Sequence, residues 1–111
     1  MRLSDLKSEF LVITGENTHQ RCASLAQAQG VMFMCPKCFE ANRSPVGTHW
    51  VLCWFAGRGV PDNRVPIPGR WHPHGTEIDD LTFVGPGAVS VLLTAGCRWH
   101  GFIRNGEATL A

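Results

Sequence analysis

The sequence predicts a small, mainly β fold with one short helix, an α+β domain whose antiparallel sheet carries paired, zinc-ribbon-like knuckles. Short apolar runs rich in Val, Ile, Phe and Trp recur along the chain and predict strands. The 12 Gly and 7 Pro among 111 residues interrupt these runs too often for long helices. Two residue pairs, Cys35 with Cys38 and Cys97 with His100, have the spacing of metal-binding knuckles.

Length and composition limit the class of protein. A chain of 111 residues is long enough for one core and too short for two, so we expect a single domain over 1–111. A net charge of +1 gives no global field to attract nucleic acid or anionic lipid. No apolar run reaches the roughly 18 residues of a membrane helix, which predicts a soluble protein. The polar start of the chain and its odd number of cysteines predict a cytoplasmic protein without a disulfide framework.

The first third of the chain predicts a strand and then a helix. The run 10–14 is rich in β-branched and aromatic residues and ends at Gly15, which indicates a strand. From residue 17 or 18 to 29, apolar or small residues fall at helical spacing before Gly30, which predicts the chain's one real helix. On that helix Cys22 lies on the apolar stripe and is expected to pack as a small hydrophobic residue.

The middle of the chain predicts two strands. Residues 31–34 lead into the first knuckle as a strand, and the turn-forming residues 41–45 leave it. The run 49–55 alternates so that both faces carry apolar groups, which favours a central strand. Its Cys53 has bulky apolar neighbours and is expected in the core rather than at a metal.

The last half predicts a loop and short strands. Residues 57–69 carry too many Gly and Pro for regular structure and form a long loop. Strands are predicted at 81–84 and 89–94. The pair Asn105-Gly106 between apolar residues predicts a C-terminal β-hairpin with a two-residue turn.

The two knuckles together predict one structural Zn²⁺. Pro36 favours a tight turn between Cys35 and Cys38, and glycines flank the segment from Cys97 to His100. Three thiolates and one imidazole complete the tetrahedral shell that zinc prefers. Because all four ligands must meet, we expect metal binding to be coupled to folding.

Several motifs between Gly30 and Gly106 resemble a known family. They are Gly30-Val-Met-Phe33, Cys35-Pro-Lys-Cys38-Phe39, Gly47-Thr-His49, Cys53-Trp-Phe55, Gly69-Arg-Trp71, Asp80-Leu-Thr-Phe83, Cys97-Arg-Trp-His-Gly-Phe102 and Asn105-Gly106. The chain resembles small bacteriophage and prophage zinc-binding proteins, some of which carry the label "ammonia monooxygenase". The resemblance implies a phage origin and a zinc-binding β domain acting inside a bacterial cell, and it implies no established reaction. A Cys-rich site suits zinc better than the copper of a membrane-bound oxygenase.

The expected function is therefore that of a phage-type, non-enzymatic binding module with no catalytic residues. One form of that work is the inhibition of a host or defence protein. Two Arg-Trp pairs, Arg70-Trp71 and Arg98-Trp99, are the expected binding surface, unless the Trp rings lie in the core. The near-neutral net charge favours a host or phage protein as the partner, and nucleic acid stays open.

Two enzymatic alternatives remain. His72, His74, Asp79 and Asp80 could hold a second metal and make the chain a metal-dependent hydrolase, although Pro73 argues against a regular strand there. The segment from Cys97 to Gly101 has the form of one box of a Rieske iron-sulfur centre. The other box requires a Cys-x-His pair, and the chain offers Cys35-Pro-Lys-Cys38 instead, which disfavours this cluster.

Overall fold

The computed structural model describes residues 1–87 and 89–110, and within them short strands dominate. The strands are β1 (Glu9–Ile13), β2 (His19–Cys22), β3 (Gly30–Met34), β4 (Trp50–Trp54), β5 (His72–His74), β6 (Thr82–Val84), β7 (Ser90–Leu92), β8 (His100–Arg104) and β9 (Glu107–Leu110). The helix α1 spans Pro36–Asn42, and three single 3₁₀ turns span Leu3–Leu6, Leu25–Gln27 and Ile78–Asp80. No helix in this part of the chain is long and apolar enough to cross a membrane.

The strands form three antiparallel sheets, which confirms the mainly β fold with one short helix. Four strands pair in the order β2-β1-β3-β4, two pair as β5-β6, and three pair in the order β7-β8-β9. The core lies between the inner faces of these sheets. Phe33 of β3 meets Trp99 edge to face, with ring centroids 5.9 Å apart. Trp71, which precedes β5, stacks on Phe83 of β6 at 5.6 Å, so aromatic rings from several segments meet in the core.

The predicted helix over 17–29 is wrong. The chain instead turns back after β1 and pairs as β2, with Phe10 opposite Cys22 and Ile13 opposite His19. A 3₁₀ turn then covers Leu25–Gln27. Few residues support the helical spacing, and an isolated helix of this length is marginal in water, whereas pairing with β1 anchors the segment to the sheet. Cys22 still packs partly against the core, as expected.

The observed helix begins inside the first knuckle. Pro36 is its first residue, where a proline needs no N–H partner and its fixed φ suits a helical turn. Cys35 precedes it as an extended N-terminal cap residue, and Arg43 ends it in the left-handed region. The sequence predicts a tight turn between Cys35 and Cys38, whereas the structure has a short helix there, followed by a turn.

Strand β4 is an edge strand and not the central strand that its two apolar faces predict. Its inner face holds the buried residues Val51 and Cys53, which confirms the core position of Cys53. At the end of β4, Trp71 pairs with the free edge of the sheet, and its N–H donates to the Trp54 carbonyl at 3.1 Å. The chain thus covers part of that edge with its own backbone, and Arg64 and His19 pack on the Trp54 ring.

The loop 57–69 has no strand or helix, as predicted, and arginines tie it to the body. Arg58 donates to the carbonyls of Leu25 and Ala28, at 2.8 and 2.7 Å. Arg64 donates to three carbonyls in the β1–β2 turn and lies over the Trp54 ring, 5.2 Å from its centroid. Charged donors from the loop thus bind carbonyls of the β1–β2 turn and of the 3₁₀ turn before β3.

Of the remaining local predictions, those for β6, β7 and the C-terminal hairpin are confirmed, and the one for residues 72–74 is wrong. Strands β6 and β7 fall in the predicted runs 81–84 and 89–94. Strands β8 and β9 form the C-terminal hairpin, and Asn105 and Gly106 both have positive φ, at 49° and 73°, as a type I′ turn requires. Despite Pro73, residues 72–74 do form a strand, which is short and pairs only with β6.

Candidate metal centre

Three thiols and one imidazole converge at one end of the four-stranded sheet. The ligand atoms of Cys35, Cys38, His49 and Cys97 all lie within 4.8 Å of one another. The Cys97 Sγ lies 3.5 Å from the Cys35 Sγ and 3.3 Å from the His49 Nε2. A tetrahedral zinc shell places its ligand atoms roughly 3.5 to 3.8 Å apart, so these side chains fit one ion with little movement.

The backbone of the first knuckle places two ligands. Strand β3 ends at Met34, and Cys35 and Cys38 follow at the cap and in the first turn of α1. The Phe39 N–H donates to the Cys35 carbonyl at 2.9 Å, which closes that turn. Both thiols therefore lie on the same side of a short, hydrogen-bonded segment.

The third ligand, His49, comes from the strand opposite. In the β3–β4 pair Met34 lies across from Trp50, so the next residue pair is Cys35 and His49. The Cys35 N–H donates to the His49 carbonyl at 2.9 Å. The His49 Nδ1 lies 3.3 Å from the Trp50 carbonyl, a contact of the kind that orients a metal-binding imidazole with its Nε2 toward the metal.

The fourth ligand, Cys97, lies in the turn between β7 and β8. Gly96 and Arg98 on either side of it have positive φ, at 64° and 55°, and this lets the chain bend sharply around the thiol. The Lys37 Nζ donates to the Cys97 carbonyl at 2.9 Å. The first knuckle therefore carries two of the thiols, and its Lys37 also holds the turn that carries the third thiol, that of Cys97.

The three thiols differ in how readily they ionise. Burial raises the pKa of Cys35 to about 12. Burial also opposes ionisation of Cys97, but hydrogen bonds from the His49 ring and the Trp99 backbone outweigh it and lower the pKa of Cys97 to about 7. Burial raises the pKa of Cys38 as well. Because metal ligands must be thiolates, an ion that enters this site displaces protons from Cys35 and Cys38.

The histidine of the cluster differs from the one predicted from the sequence. The structure brings Cys35, Cys38 and Cys97 together as predicted, with His49 rather than His100 as the imidazole. His100 begins β8 with an exposed side chain beside the Phe102 ring. The reason is strand alternation: Trp99 points into the core and is 1% exposed, so the next residue points outward.

A sequence signal for His49 exists. Its alternation with Val51 and Cys53 places it on the inner face of β4, the face on which Cys35 also lies. The sequence does not give the register of β3 against β4, and only that register places His49 beside Cys35.

The residues of the predicted binding surface have mixed positions. Trp71 and Trp99 are 9% and 1% exposed, so both rings belong to the core. Arg70 donates to four carbonyls within its own loop, those of Pro61, Arg64, Pro66 and Gly69. Arg98 alone of the four has an exposed side chain.

The residues of the predicted hydrolase site do not gather into a comparable cluster. Among the residues that the structure describes, the Cys35 group is the only one of three or more His, Cys, Asp or Glu side chains placed to hold an ion. His72 and His74 alternate on β5. The Asp80 carboxylate accepts the N–H groups of Glu77 and Thr76, which lower its pKa and fix it as a turn cap.

No protein-family model, curated protein or solved structure matches this chain.

Proposed function

We propose that this protein is a non-enzymatic binding module whose fold is held by one structural zinc ion. The observation that carries the proposal is the donor set of Cys35, Cys38, His49 and Cys97, within 4.8 Å of one another. Four protein ligands fill the tetrahedral shell of zinc and leave no open position for a substrate or a reactive water. Such a site stabilises a fold and does no chemistry.

The donor chemistry supports zinc over other metals. Thiolates with one imidazole favour zinc, whereas oxygen-rich sites suit magnesium and calcium. The ligands come from the β3–α1 junction, the start of β4 and the β7–β8 turn, so one ion would link the four-stranded sheet to the three-stranded sheet. Such a link adds binding energy to the folded state, since the ligands meet only when the sheets are in place.

The biological setting belongs to the same proposal. The resemblance of the two knuckles and their flanking motifs to small phage and prophage proteins supports an accessory role inside a bacterial cell. In that role the module binds a macromolecule of the host or the phage, and inhibition of a host or defence protein is one form that it can take.

The test is metal content combined with thermal unfolding. We expect one zinc per chain by elemental analysis. Removal of the ion by a chelator, or Cys38→Ser, should abolish the cooperative transition, because structural zinc contributes on the order of 10 kcal/mol and small domains are stable by about 5 to 15.

Cys22→Ser is the matched control, since Cys22 lies outside the cluster and should keep both the zinc and the transition. A chelated protein that melts like the untreated one would overturn the structural role.

A further inference from the structure

The outer face of the three-stranded sheet carries an imidazole, a phenyl ring and a guanidinium side by side along one strand. Along β8, Gly101 and Ile103 are buried, while His100, Phe102 and Arg104 point to the other side. The neighbouring strands add Ser90 and Leu92 from β7 and Thr109 from β9. We call these six residues the β8 platform.

The central row of the platform is an aromatic and cationic ladder. The rings of His100 and Phe102 have centroids 6.2 Å apart and planes tilted by 37°. The Arg104 guanidinium lies over the Phe102 ring, with its Cζ 4.2 Å from the centroid. Leu92, beside His100, is 59% exposed. Planar groups at alternate positions of one strand are the arrangement on which successive unpaired bases stack.

The charge of the platform is complementary to phosphate. Arg104 and His100 lie in the row, and exposed Arg98 lies in the turn that leads into β8. The one acidic neighbour, Glu107, is opposite Arg104 but pairs with the N-terminal amine at 3.6 Å and with Arg2 at 3.4 Å. In the described part of the chain no ion pair involves Arg98 or Arg104, so both guanidinium groups are available to an anionic partner.

We propose that the β8 platform binds single-stranded nucleic acid. Bases stack on Phe102, His100 and the Arg104 guanidinium, and Arg98 and Arg104 contact the phosphates. This inference rests on the proposed function, because Cys97 lies in the turn that leads into β8 and the ion would hold that turn in place. The proposed partner is therefore nucleic acid and not the protein that the near-neutral net charge favours. Where the total charge is near zero, a local row of cations and rings decides binding.

The fold also argues for single strands over duplex. The platform is a sheet face with short side chains at its borders, Ser90 and Thr109, and has no helix or ribbon to enter a groove. Stacking requires unpaired bases, so a duplex offers this face only its phosphates.

The experiment is fluorescence anisotropy of the zinc-loaded full-length protein with labelled dT12, rU12 and a 12-base-pair DNA duplex. We expect both single strands to bind more tightly than the duplex, with affinity that falls steeply as salt rises. Phe102→Leu keeps an apolar side chain but removes the ring, and should weaken binding roughly 5- to 150-fold. Phe102→Trp should retain binding, and Arg104→Gln should weaken binding and reduce the salt slope by about one phosphate contact.

The controls lie on the other sheet. Trp50→Ala removes an exposed ring and Arg21→Ala an exposed charge, and both should leave binding unchanged. Zinc content and the thermal transition of Phe102→Leu separate the two proposals: if both are normal and binding is lost, the platform carries the binding. The inference is overturned if no single strand binds at low salt, if Phe102→Leu and Trp50→Ala weaken binding equally, or if polyglutamate competes as well as dT12, which would indicate an acidic protein partner.

Discussion

His49 lies directly across the β3–β4 pair from Cys35, and the Cys35 N–H donates to the His49 carbonyl at 2.9 Å. A ladder hydrogen bond thus joins two candidate metal ligands that are distant in sequence. The register of the sheet places the imidazole beside the knuckle.

This relationship predicts that His49 and His100 respond differently to substitution. His49→Ala should lower zinc affinity more than about 100-fold, because loss of a direct ligand exceeds the 10- to 100-fold effect typical of the groups that support ligands. His100→Ala, the matched control, should leave affinity unchanged. Competition with a chromophoric chelator measures both, and the reverse order would restore the ligand set predicted from the sequence.

A second prediction concerns thiol reactivity. The chain has five free cysteines, of which Cys53 is fully buried and three belong to the metal cluster. In the zinc-loaded protein a disulfide reagent should react rapidly with Cys22 alone, since metal-bound and buried thiols react slowly. After chelation all five should react as the fold opens. Three or more fast thiols without a chelator would contradict a metal-bound cluster.

A third prediction tests how the loop 57–69 is held. Arg64 donates to the carbonyls of Gly15, Glu16 and Thr18 and lies over the Trp54 ring. Arg64→Ala leaves those carbonyls without this donor and should lower the free energy of unfolding by about 2 kcal/mol. Arg21→Ala, which removes one exposed ion pair with Glu9, should cost less than about 0.5 kcal/mol. Urea titration of the zinc-loaded variants distinguishes the two, and equal effects would mean that the loop contributes nothing to stability.

A fourth prediction concerns Gly101, a buried residue of β8 on the face opposite the β8 platform. A Cβ on Gly101 would collide with the Thr109 carbonyl oxygen and lie 2.8 Å from the Trp99 ring, whereas a Cβ on Gly85 would meet open space. Gly101→Ala should therefore destabilise the protein by about 3 kcal/mol through overpacking. Gly85→Ala should change stability by no more than about 0.5 kcal/mol. Thermal melts of both variants check this, and a stable Gly101→Ala protein would contradict the close β8–β9 packing.

Local patterns identified much of this structure because the physics behind them acts over a few residues. The β-branched run at β1, the turn at Asn105-Gly106 and the spacing of Cys35 and Cys38 each specify a conformation with no help from the rest of the chain. The helix predicted over 17–29 failed for the opposite reason. The strand His19–Cys22 has no apolar alternation, and only its pairing with β1 makes it a strand.

The sequence by itself determined that the fold is mainly β and that Cys35, Cys38 and Cys97 belong together. Only the tertiary structure decided which histidine completes the cluster and which aromatic groups reach the surface. Successive residues of a strand point to opposite faces, so the register of β4 against β3 turns His49 toward Cys35, while the burial of Trp99 turns His100 outward beside Phe102. Register depends on contacts between distant segments, and the order of residues along one strand does not contain that information.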